Sequence, residues 1–201
     1  MNDISNLGHY TVPEDTKNGI CIDVGCNVGD FTFTYRDHFA HIYFIEPQIK
    51  LFEHNIKRFE GNEKITGLNR AAWSQSNILL KLLNHKNHDS GSVGVNSSLL
   101  NDEWLNEVVN EILSISLADV INMYKIDVID YLKVDCETSE YEFLINSDLS
   151  KIRYIGIELH HQMGFDRYNE LLKKIHYTHT HIAGNIHYTS GANQEALFKI
   201  T

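Results

Sequence analysis

The chain has 201 residues, 17 of them Lys or Arg and 27 Asp or Glu, for a net charge of −10. That length suits one domain with a sizeable core, and the acidic balance argues against broad attachment to nucleic acid or to an anionic membrane surface. The three cysteines, Cys21, Cys26 and Cys136, are odd in number and form no C-x-x-C pair, so a disulfide framework is not expected and a reducing, cytoplasmic setting is the simpler expectation.

Residues 1–18 form a polar leader without the basic head and apolar core of a signal peptide. No later run is long enough to span a bilayer. Asn18-Gly19 signals a turn into a single domain over 19–201, which opens on the stretch GICIDVGCNVGDFTF. The apolar run Ile20 to Val24 breaks at Gly25 and Gly29, and an aromatic-rich helix carrying Phe31, Phe33, Tyr35 and Phe39 follows, the pattern of a buried strand turning tightly into a helix. Such a turn is a ligand cradle: Gly25 lets the backbone approach a ligand, and the first N–H groups of the helix are unsatisfied. In the dinucleotide fingerprint a second glycine admits the pyrophosphate, whereas here Asn27 takes that slot with Asp30 close behind. An amide and a carboxylate suit the amino-acid part of S-adenosylmethionine better than a second phosphate, with NAD the weaker alternative.

His41 to Ile45 reads as a second strand ending at Glu46-Pro47. Glu46 lies 21 residues past Gly25, close to the roughly 20-residue spacing at which a carboxylate meets the ribose hydroxyls of a nucleotide. A helix is predicted from Gln48 to Phe59, with Leu51, Phe52, Ile56 and Phe59 on one face. The segment Lys64 to Trp73 supplies a third strand and turn, placing Asn69 near the base of a bound nucleoside, and Ile78 to Leu83 is an added strand. Asn84 to Ser98, rich in Asn, Ser, Gly and His, reads as an adaptable loop. Leu100, Trp104, Val108 and Ile112 predict a helix over Leu99 to Leu113, and this loop and helix are expected to cover the acceptor.

A short helix over Ser116 to Tyr124 leads to a fourth strand, Val128 to Val134, and then to a helix over Tyr141 to Ile145. Ile152 to Leu159 is a fifth strand, followed by a helix over Phe165 to Ile175 and strands near Thr178 to Ala183 and Ala196 to Ile200. Strands alternating with helices imply an α/β fold with a mostly parallel sheet, helices on both faces and an antiparallel edge. In such a sheet ligands bind past the carboxyl ends of the strands, where Asp23, Glu46, Asp135, Glu137, Glu158 and His160 all fall. A spacing of two puts Asp135 with Glu137, and Glu158 with His160, on one side each. An alcohol that takes a methyl group must lose its proton, which calls for a base or a metal near the oxygen. Asp135, Glu158 and His160 are candidate ligands for magnesium or manganese; in a metal-free set His160 is the base and a carboxylate orients it.

In order, DVGCNVGDF at 23–31, FIEP around Glu46, NRAAW at 69–73, LKVDCETSEYEFL at 132–144 and IGIELHH at 155–161 resemble the FkbM family of S-adenosylmethionine-dependent methyltransferases. The resemblance implies a Rossmann-like methyltransferase fold and O-methylation of a saccharide or other small hydroxylated product. It places cofactor binding on Asp23, Gly25, Cys26, Asn27, Gly29, Phe31, Glu46, Asn69, Ala71 and Asp135. Asp135, Glu137 and His160 are then the residues that position or deprotonate the acceptor. One departure stands out: the family has a glycine after the glutamate of its D-x-E-G segment, and here Thr138 follows Glu137. That departure motivates the alternative of a cofactor-binding protein without turnover, with an NAD-dependent oxidoreductase a more distant one.

Overall fold

The computed structural model describes residues 10–85, 92–94 and 105–201. Strands and helices follow in the order β1 (Ile20–Val24), α1 (Asp30–Tyr35), β2 (His41–Ile45), α2 (Ile49–Arg58), β3 (Ile65–Leu68), β4 (Ala71–Ala72), β5 (Leu79–His85), β6 (Ser92–Gly94), β7 (Leu105–Ile115), α3 (Leu117–Tyr124), β8 (Ile129–Val134), α4 (Glu140–Leu144), β9 (Ile152–Leu159), α5 (Phe165–His176), β10 (His179–Gly184) and β11 (Gln194–Ile200). Seven strands make one sheet in the order β10-β11-β9-β8-β1-β2-β3. Its strands are parallel from β9 to β3, and β11 runs antiparallel to both of its neighbours, one place in from the edge.

Both faces of this sheet are covered, which is why its central strands are apolar without alternation. On one face Val24, Ile45, Val134 and Ile157 join Val120 of α3, Phe143 of α4 and Leu171 and Ile175 of α5 in the main core. The other face packs Cys21, Ile42, Tyr131 and Tyr154 against Tyr35 and Phe39, and Phe44 against Phe59 behind α2. Each of these side chains, fully buried, contributes about 1.5–3 kcal/mol.

Register positions the site. Val24 pairs with Ile45 and with Val134, and Val134 pairs with Ile157. The next residue on each of the four strands, Gly25, Glu46, Asp135 and Glu158, therefore emerges in one row along the carboxyl edge of the sheet.

Four differences from the sequence reading have physical causes. Residues 105–113 are strand rather than helix: β7 pairs antiparallel with β5 and parallel with β4 in a second sheet of order β4-β7-β5-β6; residues 99–104 lie outside the described residues. The expected loop over 84–98 contributes the end of β5 and all of β6, which pair with one another; its other residues also lie outside that range. On α2 the buried position is Asn55, while Ile56 is 46% exposed, because the helix turns a polar side chain toward the glycine loop. Finally, residues 10–18 pack on the sheet: Tyr10 and Thr16 are buried, Thr11 O accepts from Tyr131 OH at 3.1 Å, and Asp15 meets Arg153 and Tyr154. Among the described residues no helix is long and apolar enough to cross a membrane.

Candidate active site

The turn after β1 is built on left-handed backbone at Gly25 (φ +74°), Asn27 (φ +53°) and Gly29 (φ +85°). A Cβ on Gly25 would stand 1.6 Å from Asp135 O, and one on Gly29 would stand 2.4 Å from Asn55 Oδ1, so both positions require glycine for space as well as conformation. The N–H groups of Gly25 and Cys26 donate to Ile45 O at 3.0 and 3.2 Å. From α2, Asn55 Nδ2 donates to Asn27 O at 2.6 Å, and Arg58 Nη1 donates to Val28 O at 2.6 Å. These bonds tie the loop to β2 and to α2. Asn55 had no place in the sequence reading; its signal was a lone amide on an otherwise apolar helix face.

Beneath the loop lies a buried charge pair. Lys133 Nζ is 3.1 Å from Asp23 Oδ1 and 3.7 Å from Asp135 Oδ2, and it donates to Gly25 O at 2.7 Å. Burial pulls the Lys133 ammonium down, but Asp23 and Asp135 outweigh it and hold the group above its ordinary value. The other Asp23 oxygen accepts from Thr32 Oγ1 at 2.7 Å. Asp23 therefore supports the turn from below.

Glu46 is 3% exposed and accepts from Asn27 N–H and Gln48 N–H, each at 2.8 Å. Burial pushes its carboxyl up to about 7, against the pull of those two N–H groups. Asn69 sits one strand over, and its amide donates to Glu46 O at 2.9 Å and Pro47 O at 3.0 Å, fastening the turn after β2. Cys26 is buried against Phe44 and Phe59, and the Phe31 ring packs on Tyr10, Tyr35 and Tyr131.

Between the two sheets opens a cleft of about 580 Å³, its mouth included, lined among others by Gly25, Asn27, Glu46, Ala71, Asp135 and Glu137. Of the ten residues expected to meet a cofactor, Gly25, Asn27, Glu46, Ala71 and Asp135 line this cleft.

Past the ends of β8 and β9, carboxylates gather around one imidazole. Burial pushes Asp135 up to about 6, with Glu158 and Glu137 adding and Lys133 and His160 opposing. His160 is 1% exposed, with Nδ1 2.9 Å from Glu140 Oε1 and Nε2 3.2 Å from Glu137 Oε2 and 3.8 Å from Glu158 Oε1. Burial opposes the cation, but Glu140 and Glu137 outweigh it and hold the imidazole well above its usual range. Glu140, fully buried, was missed from sequence, where it reads only as the residue before the helix over Tyr141 to Ile145. Thr138 holds φ +86° and Glu137 φ +52°, so the threonine takes the left-handed region that a glycine would occupy without strain.

The metal set expected from sequence was Asp135, Glu158 and His160; the groups whose ligand atoms converge are Asp135, Glu140 and His160. Both ring nitrogens of His160 face carboxylate oxygens, and Glu140 Oε1 also accepts from Cys136 N–H and Thr138 N–H.

Residues 23–187 match the family model described as the methyltransferase FkbM domain. No curated protein matches the chain by sequence. Among solved structures it is similar to a methyltransferase FkbM from Methylobacillus flagellatus KT, with TM-score 0.57 and 15% identity over 89% of this chain and 42% of that one. It is also similar to the fibrillarin pre-rRNA processing protein of Methanococcus jannaschii, with TM-score 0.56 and 10% identity over 94% and 70%. TrmK of M. capricolum, in complex with S-adenosylhomocysteine, gives TM-score 0.50 and 12% identity over 93% and 65%. The chain spans about two-fifths of the length of the first of these, and at such identities the likeness is one of fold, here a Rossmann-like methyltransferase fold.

Proposed function

The chain belongs to the FkbM methyltransferase family, and from that premise we propose that it transfers the methyl group of S-adenosylmethionine to a hydroxyl of a saccharide or other small natural product. The observation that carries this reading is the row Gly25, Glu46, Asp135 along one sheet edge, all lining one cleft. The Gly25–Gly29 turn holds the methionine end, and Glu46 takes the ribose hydroxyls with the lone pairs that Asn27 and Gln48 leave open. The nucleoside lies toward Ala71 and the turn that Asn69 fastens. When bound, the sulfonium supplies an electrophilic methyl group.

Proton abstraction belongs to Asp135. Its carboxyl, raised to about 6, is basic enough to take the acceptor proton as the new C–O bond forms and still ionised at neutral pH. His160 is a poor base, since both ring nitrogens already face carboxylates; it organises Glu137 and Glu158 around the acceptor instead. Six carboxylates (Asp23, Glu46, Asp135, Glu137, Glu140 and Glu158) against Lys133 and His160 favour an uncharged acceptor over an anionic one, in keeping with the net charge of −10.

The test is turnover of methyl-labelled S-adenosylmethionine over a panel of saccharides and other hydroxylated small molecules. Asp135→Asn is expected to lower turnover by about 10²–10⁴-fold while S-adenosylhomocysteine still binds. Retained turnover in that variant, or label on nitrogen rather than oxygen, would sink the assignment.

A further inference from the structure

We propose that Glu140 is a positioning residue: it clamps the strained Glu137–Thr138 turn to His160 and so fixes the carboxylate of Glu137 on the wall of the cleft. The clamp is a matter of geometry; that the cleft serves methyl transfer rests on the function proposed above. Glu140 has no exposed surface, yet its Oε1 accepts from Cys136 N–H at 3.0 Å and Thr138 N–H at 3.3 Å and lies 2.9 Å from His160 Nδ1. It is the first residue of α4, and the groups it gathers belong to the segment after β8 and to the residue after β9. One carboxylate thereby ties the ends of two neighbouring strands.

Two costs explain why such a tie is needed. Left-handed backbone at Glu137 and Thr138 is costly for a residue that is not glycine, and it persists only where the surroundings enforce it. The two N–H groups that Glu140 takes lie on either side of Glu137. A buried carboxylate is in turn costly unless it is paired, and His160 is its partner. A neutral imidazole has one donor and one acceptor nitrogen; with Glu140 at one nitrogen and Glu137 at the other, only the doubly protonated ring satisfies both. The other charges facing His160 are Glu158 at 3.8 Å and, farther off, Asp135, itself 3.7 Å from Lys133. All the near groups are acidic and favour the imidazolium. The clamp thus holds the turn by contacts rather than by the conformational freedom that a glycine would supply.

Histidine ring signals followed by NMR from pH 5 to 9, together with thermal unfolding, test this. In the wild type His160 is expected to keep its second proton above the ordinary imidazole value of about 6.5, and E140Q is expected to lower that midpoint. T138G is expected to raise the melting temperature, and E140Q to cost less in the T138G background than in the wild type, because the turn then needs no holding. A wild-type midpoint at or below 6.5, an unmoved midpoint in E140Q, or equal E140Q losses in both backgrounds would overturn the clamp. So would selective broadening of the His160 signals by added Mn²⁺, which would make the cluster a metal centre. Should E140Q not fold, the wild-type midpoint and the Mn²⁺ arm decide alone. Parallel titration with S-adenosylhomocysteine separates the two claims: no binding there removes the methyltransferase reading and leaves the clamp to be judged by the NMR result.

Discussion

Glu46 carries a pH dependence that links the fold to the ligand. A carboxyl held near 7 in the folded chain, against an ordinary value of 4.5, favours the folded state while protonated and loses that contribution as pH rises through 7. Unfolding in urea is therefore expected to show stability of the ligand-free protein falling from about pH 5 to 7.5, less steeply in Glu46→Gln; Asp135, raised to about 6, supplies the remaining slope. Affinity for S-adenosylhomocysteine is expected to run the other way over that interval, because ribose hydroxyls donate to the ionised form. A slope unchanged in Glu46→Gln would refute the assignment. At this scale a sequence shows that a polar residue ends a strand but not what its side chain reaches. Glu46 and Asp135 line the cleft, Asp23 is spent beneath the turn on Lys133 and Thr32, and Asn69 is spent on two carbonyls. Glu140 stayed hidden because its partners, His160 and two backbone N–H groups, converge only when β8 and β9 lie side by side.

Between elements, Lys133 joins β8 to the turn after β1 through Asp23, Gly25 O and Val24 O. Lys133→Met leaves Asp23 buried without its cation and is expected to cost about 3–5 kcal/mol in denaturant unfolding. Adding Asp23→Asn should recover part of that loss, and a cost below about 1 kcal/mol would show that the pair does not tie the strands. The strands of the main sheet were legible because burial on both faces makes them short unbroken apolar runs. The segment now seen as β7 was misread because Leu100, Trp104, Val108 and Ile112 recur at every fourth residue. Four residues approximate one helical turn and equal two strand periods, so the spacing fits both. The β-branched residues Val108, Val109, Ile112 and Ile115 favoured strand, and pairing with β5 decides the matter.

For the molecule as a whole, the alternation of strands and helices was enough to predict the parallel layered fold, whereas the second sheet was not foreseeable. Its pairings are distant, as between Ala71 and Ser114, and no local pattern announces them. That sheet matters, since Ala71, Ala72 and Leu82 form the far wall of the cleft opposite the glycine turn. A ligand held between the two sheets and across the strand ends is the central claim, and calorimetric titration with S-adenosylhomocysteine, with NAD as control, tests it most directly. Wild-type protein is expected to bind S-adenosylhomocysteine and not NAD, and Gly25→Ala to lose that binding, because its Cβ would meet Asp135 O at 1.6 Å on left-handed backbone. Absence of binding in the wild type, a preference for NAD, or undiminished affinity in Gly25→Ala would contradict the account.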